Sequence, residues 1–185
     1  MRKKFLDKLR EEIKKSHDEM KINWNRMLPS NEMLMDRWEK AKMLGFGDGS
    51  SIYDSSIVLG NVEVGNNVWI GPFTLLDGSG GLSIGLGTHI SAGVQIYSHD
   101  TVKQALSSGN EEIERTKTTI GSNCHIGAGA IILKGVKIGD HCVVGAGCVV
   151  TKSFPSHSVI LGVPGKQTGY VEIDNIDSVS FKYID

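Results

Sequence analysis

The sequence predicts a mainly β fold: a parallel β-solenoid, preceded by a helical segment and interrupted by one protruding loop. Three observations carry this. Large aliphatics recur every six residues between Ile52 and Val150, a smaller residue follows most of them four positions later, and 23 glycines stand against 4 prolines and 6% aromatics. A period of six fits neither a 3.6-residue helix nor the alternation of one long strand. It fits a short strand and a turn per repeat, wound into a stack.

The anchors are Ile52, Val58, Val64, Ile70 and Leu76, then Ile84, Ile90 and Ile96 after a gap of eight, then Ile120, Ile126, Ile132, Ile138, Val144 and Val150 after a longer break. The smaller series comprises Val62, Val68, Thr74, Thr88, Val94, Cys124, Ala130, Val136, Cys142 and Cys148. The anchor points inward from a flat face, and the smaller residue fills the narrower space near a corner. Glycine follows the anchor at 65, 71, 85, 121, 127, 139 and 145, where its backbone freedom suits a corner. Fourteen anchors at three per coil give four to five coils, a prism on the order of 24 Å tall at ordinary strand spacing. Cys124 and Cys142 are one coil apart and read as core residues, and three cysteines in all argue against a disulfide framework.

Residues 1–48 read as helical. Phe5, Leu9 and Ile13 line one side of a helix flanked by charges of both signs, which weakens a membrane-surface role. A second helix is expected after Pro29, with Ser30 as N-cap, Glu32 in the first turn, and Leu34, Trp38 and Ala41 on one face, ending at Gly45 and Gly47. Together the two helices are expected to cap the open first coil. The solenoid is placed at 49–155, with an extruded loop at 98–119 and a C-terminal extension at 156–185.

The 185 residues suit one domain with a real core. Lys and Arg number 20 against 21 Asp and Glu, a balance that gives no support to nucleic-acid binding. No apolar run approaches the roughly 18 residues of a membrane span. Met1-Arg2-Lys3-Lys4 is not followed by a signal-type apolar block, so a cytoplasmic location is expected.

The break between Ile96 and Ile120 is where chemistry is expected. A solenoid accommodates an insertion by extruding it from a corner, and such loops commonly carry function. His99 stands where the last regular strand ends, so the solenoid holds its backbone while the ring faces the loop. An imidazole mounted this way suits general-base work. His17, His89, His125, His141 and His157 read as surface residues. Two carboxylates could orient the ring, as the acid of a catalytic triad does. Asp100 is adjacent in sequence, and Asp77 falls one coil plus two inserted residues before Tyr97.

The repeated pattern of a large aliphatic, a small or acidic residue and a small residue three positions later, covering 52–152, resembles the hexapeptide-repeat acyltransferases. That resemblance implies a left-handed parallel β-helix and a homotrimer with its sites between subunits. In the galactoside, maltose and xenobiotic acetyltransferases of this fold, a histidine at the start of a similar loop is the base, a role that falls on His99. The His99-Asp100 pair resembles the polysaccharide acetyltransferase branch. The stretch GAGCVVTKSFPSHSVILGVPGK, residues 145–166, resembles the family's last coil and exit. By that resemblance Ala128 and Ala146 would line the pantetheine arm of acetyl-CoA; at the same cofactor-binding stretch a backbone N–H near Gly127 or Ala128 would stabilise the tetrahedral oxyanion. Thr151 and Lys152 would lie beside the adenosine end, and Lys166 would meet phosphate.

The function expected is acetyl transfer from acetyl-CoA to a hydroxyl of a sugar or polysaccharide precursor, without a metal. The alternative acceptor is an amine on a nucleotide-linked amino sugar. A γ-type carbonic anhydrase needs histidines where Ala128 and Leu133 stand, and about three protein ligands for zinc. A non-catalytic scaffold would bind no acetyl-CoA.

Overall fold

The computed structural model describes residues 2–174 and 178–184. Its core is a three-faced parallel β-solenoid. The first face stacks Ser51–Ile52, Trp69–Ile70, His89–Ile90, His125–Ile126, Val143–Val144 and Ser158–Leu161 in parallel. The second stacks the start of Ile57–Val64 on the start of Leu75–Ile84, then Gln95–Ile96, Ile131–Ile132 and Val149–Val150. The third stacks the ends of those two long strands, then Thr118–Ile120 and Lys137–Ile138, and finishes with a bridge from Ile138 to Phe154.

Each anchor sits directly on the anchor one coil away. Ile70, Ile90, Ile126 and Val144 form one column, Leu76, Ile96, Ile132 and Val150 another, and Ile84, Ile120 and Ile138 the third. All are essentially buried, while Val58 and Val64 at the open end are only half-buried. The three cysteines are free and buried among them.

The stack is taller than the anchor count suggested, with six strands on the first face. Its last layer escapes the period because the final coil is two residues shorter: Ile160 follows Val144, and Phe154 follows Ile138, by 16 residues rather than 18.

The glycines after the anchors also act differently from the expectation. They do not hold positive φ; those angles fall two residues later, at Asn67, Gly87, Asn123, Gly129 and His141 among others. What the anchor-following glycines supply is room. A Cβ on Gly127 would stand 2.5 Å from Ala146 N, and one on Gly121 would stand 2.5 Å from the Gly139 carbonyl carbon. The coils stack this closely because those positions lack a side chain.

The expected second helix is two elements. Ser30–Met33 is a 3₁₀ turn without a side-chain cap, and the α-helix is Arg37–Met43, with Asp36 accepting from the Trp38 and Glu39 amides. Asp36 takes the N-cap place expected of Ser30 because the chain turns again before the helix begins. The helix closes as expected of a Gly C-cap: Gly45 has φ +72°, and Phe46 N donates to Ala41 O at 3.0 Å. Ala41 and Phe46 are buried in the solenoid core and plug the open coil. Lys40 Nζ donates to the carbonyls of Tyr53, Asp54 and Ser56, and the buried Glu32 carboxylate accepts from Asp54 N, Ser55 N and Ser55 Oγ. Two opposite charges thus fasten the plug to the first coil.

The first helix, Arg2–Trp24, does not join this cap along its length. Phe5 and Ile22, near its two ends, are 66% and 81% exposed, and the helix packs through its middle, where Ile13, His17 and Met20 are half-buried and His17 Nε2 meets Leu28 O at 2.9 Å. At the other end of the prism the chain leaves as an antiparallel hairpin. Lys166–Asp174 pairs with both Ser158–Leu161 and Ser178–Tyr183, so the first face continues beyond the solenoid.

Candidate functional site

The site lies at the corner between the second and third faces, made by residues 77–81, 97–117, 133–136 and 151–153. The eight-residue gap between Leu76 and Ile84 prepares it. The two extra residues sit inside the strand Leu75–Ile84, where its register against Ile57–Val64 shifts, and Gly80 lies close beneath the loop root. Gly80 N donates to Ser98 Oγ at 2.8 Å, and a Cβ there would stand 2.3 Å from Ser98 O.

The loop leaves as His99–Asp100 and returns as Glu114–Arg115, and the two segments pair antiparallel. Between them is a short helix, Val102–Leu106, that the polar sequence did not announce. The return is pinned where Thr116 N donates to Ser98 O at 2.8 Å and Thr118 Oγ1 to Tyr97 O at 2.7 Å.

His99 Nδ1 lies 2.6 Å from Asp77 Oδ2. Asp77 is fully buried, and its carboxylate also accepts from Ser79 N, Ser98 N and His99 N. Burial by itself would raise this carboxyl, but the hydrogen bonds from Ser79, Ser98 and His99 outweigh it and hold it well below the ordinary carboxylate range. An ionised carboxylate only accepts, so Nδ1 must carry the proton and Nε2 of the neutral ring keeps its lone pair. Asp77 fixes both orientation and tautomer.

Asp100 does not touch the ring. Successive side chains of an extended strand point to opposite sides, and the Asp100 carboxylate accepts from Val102 N at 3.1 Å and pairs with Lys134 Nζ at 3.0 Å. The residue adjacent to His99 in sequence is therefore not its hydrogen-bond partner; the residue one coil away is.

The ring borders an open cavity of about 570 Å³, lined by Tyr97, His99, Thr101, Leu133, Lys134 and Thr151 among others. Thr151 thus shares the corner with His99. Lys152 follows it, with its ammonium 5.6 Å from the Phe154 ring centre. The remaining cofactor-binding candidates lie elsewhere. Ala128 and Ala146 are exposed on the corner between the first and second faces, where Gly147 N donates to Ala128 O at 2.9 Å. Lys166 is exposed beyond it, paired with Leu161 in the exit hairpin. Gly127 is buried and its N–H donates to Val144 O at 2.8 Å, so that amide is committed to the coil and cannot serve an oxyanion. The structure brings His99, Asp77 and Thr151 together and holds Ala128 and Ala146 one face away.

Leu133 and Lys134 were missed by the sequence, although register points to them. Ile96 and Ile132 are aligned, so the two residues after Ile132 belong beside Tyr97 and Ser98. The other histidines stand apart: His89 stacks on Trp69 at 4.8 Å and His157 on His141 at 5.1 Å. Among the described residues no cluster of three or more His, Cys, Asp or Glu side chains could hold a metal ion, and no helix is long and apolar enough to cross a membrane.

Residues 117–152 match the family model described as bacterial transferase hexapeptide (six repeats). Solved structures share the fold. One is the acetyltransferase domain of PglB from Neisseria gonorrhoeae, 21% identical with a TM-score of 0.54, the match covering 66% of this chain and 50% of that one. Another is a variant of AntD, an N-acyltransferase from Bacillus cereus, in complex with dTDP-4-amino-4,6-dideoxyglucose and coenzyme A; it is 22% identical with a TM-score of 0.58, covering 70% of this chain and 86% of that one. A third is a hexapeptide-repeat containing acetyltransferase, VCA0836, from Vibrio cholerae, 22% identical with a TM-score of 0.53, covering 84% and 90%. The solenoid of this chain is thus a hexapeptide-repeat β-helix, and its match spans half the length of the PglB domain.

Proposed function

We propose that this protein is an acyl-CoA-dependent acyltransferase, with acetyl-CoA as donor and His99 as general base. The observation that carries the proposal is the 2.6 Å contact of His99 Nδ1 with the buried Asp77 carboxylate at the mouth of the cavity. Nε2 takes the acceptor's proton as the acceptor oxygen or nitrogen attacks the thioester carbonyl. The tetrahedral intermediate collapses with loss of CoA thiolate, which receives the proton, leaving the acylated acceptor. Asp77 stabilises the imidazolium that forms between these steps.

For the acceptor we favour the amine of a nucleotide-linked amino sugar, supported by the similarity to AntD with its bound amino sugar nucleotide. A sugar hydroxyl is the second reading. It is favoured by the His99–Asp77 pair itself, since a hydroxyl needs a base during attack more than a neutral amine does. We also propose a homotrimer: the first-corner candidates Ala128 and Ala146 and the second-corner His99 can meet at one site when two chains contribute.

The test is CoA-thiol release from acetyl-CoA with a panel of nucleotide-linked amino sugars, nucleotide sugars and free sugars. Turnover with amino sugars alone supports the amine, and turnover with their hydroxyl counterparts supports the second reading. His99→Ala should lower kcat by about 10²–10⁴-fold with acetyl-CoA affinity near normal; unchanged turnover rejects the mechanism.

A further inference from the structure

We propose that Lys134 is a positioning residue of this site: its ammonium holds together two opposed acidic residues at the loop root and so keeps the His99 ring on Asp77. The kinetic part of this rests on the acyltransferase reading, whereas the ring geometry can be measured without any substrate.

The loop root is a very short antiparallel pair in which His99 faces Arg115 and Asp100 faces Glu114. Like charges directly opposite each other on paired strands repel, so the Asp100–Glu114 step should push the root apart beside the residue that must be held still. Lys134 Nζ stands between them, 3.0 Å from Asp100 Oδ2 and 2.6 Å from Glu114 Oε2. Lys103 Nζ also reaches Glu114, at 2.5 Å, but it rides on the loop's own helix and fastens nothing to the prism. Lys134 belongs to the solenoid corner one coil beyond Ser98, so its contacts tie both sides of the root to the rigid body.

The charges persist. Lys103 and Lys134 hold Glu114 down to about 2, and Lys134 with Val102 N holds Asp100 below its ordinary value. Both acids are therefore ionised at neutral pH. Removing Lys134 leaves Asp100 without its cation and facing Glu114, whose remaining partner Lys103 is on the loop and not on the prism, and the easiest relief is for the root to open.

Three variants test this: Lys134→Met, Lys134→Arg and the double change Lys134→Met with Glu114→Gln. The single Met variant should lose about 10–100-fold in kcat, the range expected for misplacing a reacting group by an ångström or less, with KM for acetyl-CoA nearly unchanged. The Arg variant and the double variant should each recover most of the loss, since one restores the cation and the other removes the repulsion. Long-range proton–nitrogen spectra should show the wild-type His99 ring as one tautomer protonated at Nδ1, a mixed ring in the Met variant, and a return to one tautomer in the double variant. A raised KM with intact kcat would mean that Lys134 contacts a ligand, and would overturn the proposal. So would a double variant no better than the single one, or a His99 ring unaltered by Lys134→Met. If the wild type transfers no acyl group to any acceptor, the function falls and the ring spectra alone decide the positioning role.

Discussion

The two corners that flank the second face have the same repeat, yet they are built for different tasks. The first carries Ala128 and Ala146 on Gly-Ala-Gly turns, small and exposed, with little to offer except backbone and space. The second carries the inserted residues, the extruded loop, a buried carboxylate and an imidazole hydrogen-bonded to it. One corner offers open backbone, and the other holds an imidazole whose orientation a buried carboxylate fixes. The comparison teaches that a uniform solenoid becomes asymmetric through two insertions on one edge, without changing the core columns.

The largest effect should come from breaking the second corner. Asp77→Asn should lower kcat on the order of 10²–10⁴-fold, because an amide can donate to Nδ1 and favour the wrong tautomer. A normal rate would dissolve the distinction between the corners. The same substitution has a signature in stability. The folded-state carboxyl is held below its unfolded value of about 4, so its contribution is present above that pH and is lost as pH falls through the depressed value. Acid unfolding curves of wild type and Asp77→Asn should therefore converge at low pH and separate towards neutrality; parallel curves would contradict the hydrogen-bonded carboxylate.

The proposed sharing of sites between chains sharpens the comparison further. His99→Ala and Ala146→Trp should each inactivate, one at each corner. Co-expressed, they should regain up to about a quarter of wild-type activity, the chance that one intact corner of each kind meets in a randomly mixed closed ring. No recovery in mixed assemblies would mean that one chain supplies both corners.

The smallest effects separate neighbours at the first corner. Gly127→Ala should lower stability by about 1–3 kcal/mol, since the added Cβ meets Ala146 N at 2.5 Å. Ala128→Ser, exposed at the same turn, should stay within about 0.5 kcal/mol. Thermal unfolding distinguishes them, and equal melting would show that the coil spacing relaxes freely.

Much of this was legible in the chain because burial is periodic. Ile70, Ile90 and Ile126 declared their column through spacing, and Asp77 could be placed near Tyr97 by counting one coil and two inserted residues. What failed did so for local reasons. Asp100 was a candidate through adjacency, but neighbours on a strand diverge. Ser30 had the chemistry of an N-cap, but the chain turned once more before the helix began, and Asp36 took the place. Glycines after the anchors suggested unusual dihedral angles, whereas the constraint came from the next coil, which is invisible until coils are stacked. Lys134 carried no motif, and only register against Ser98 could have found it.

The exit hairpin has a consequence for the molecule's behaviour in concentrated solution. A stack of strands is a template that can recruit another stack wherever its last rung is bare. Here the bottom rung is stoppered by Ala41 and Phe46, and the top continues into Ser178–Tyr183, a fully exposed strand bearing Lys182. Lys182 discourages such recruitment, whereas Val179, Phe181 and Tyr183 on the same strand are exposed and invite it, so end-to-end growth is blocked at the plugged coil and contested at the hairpin.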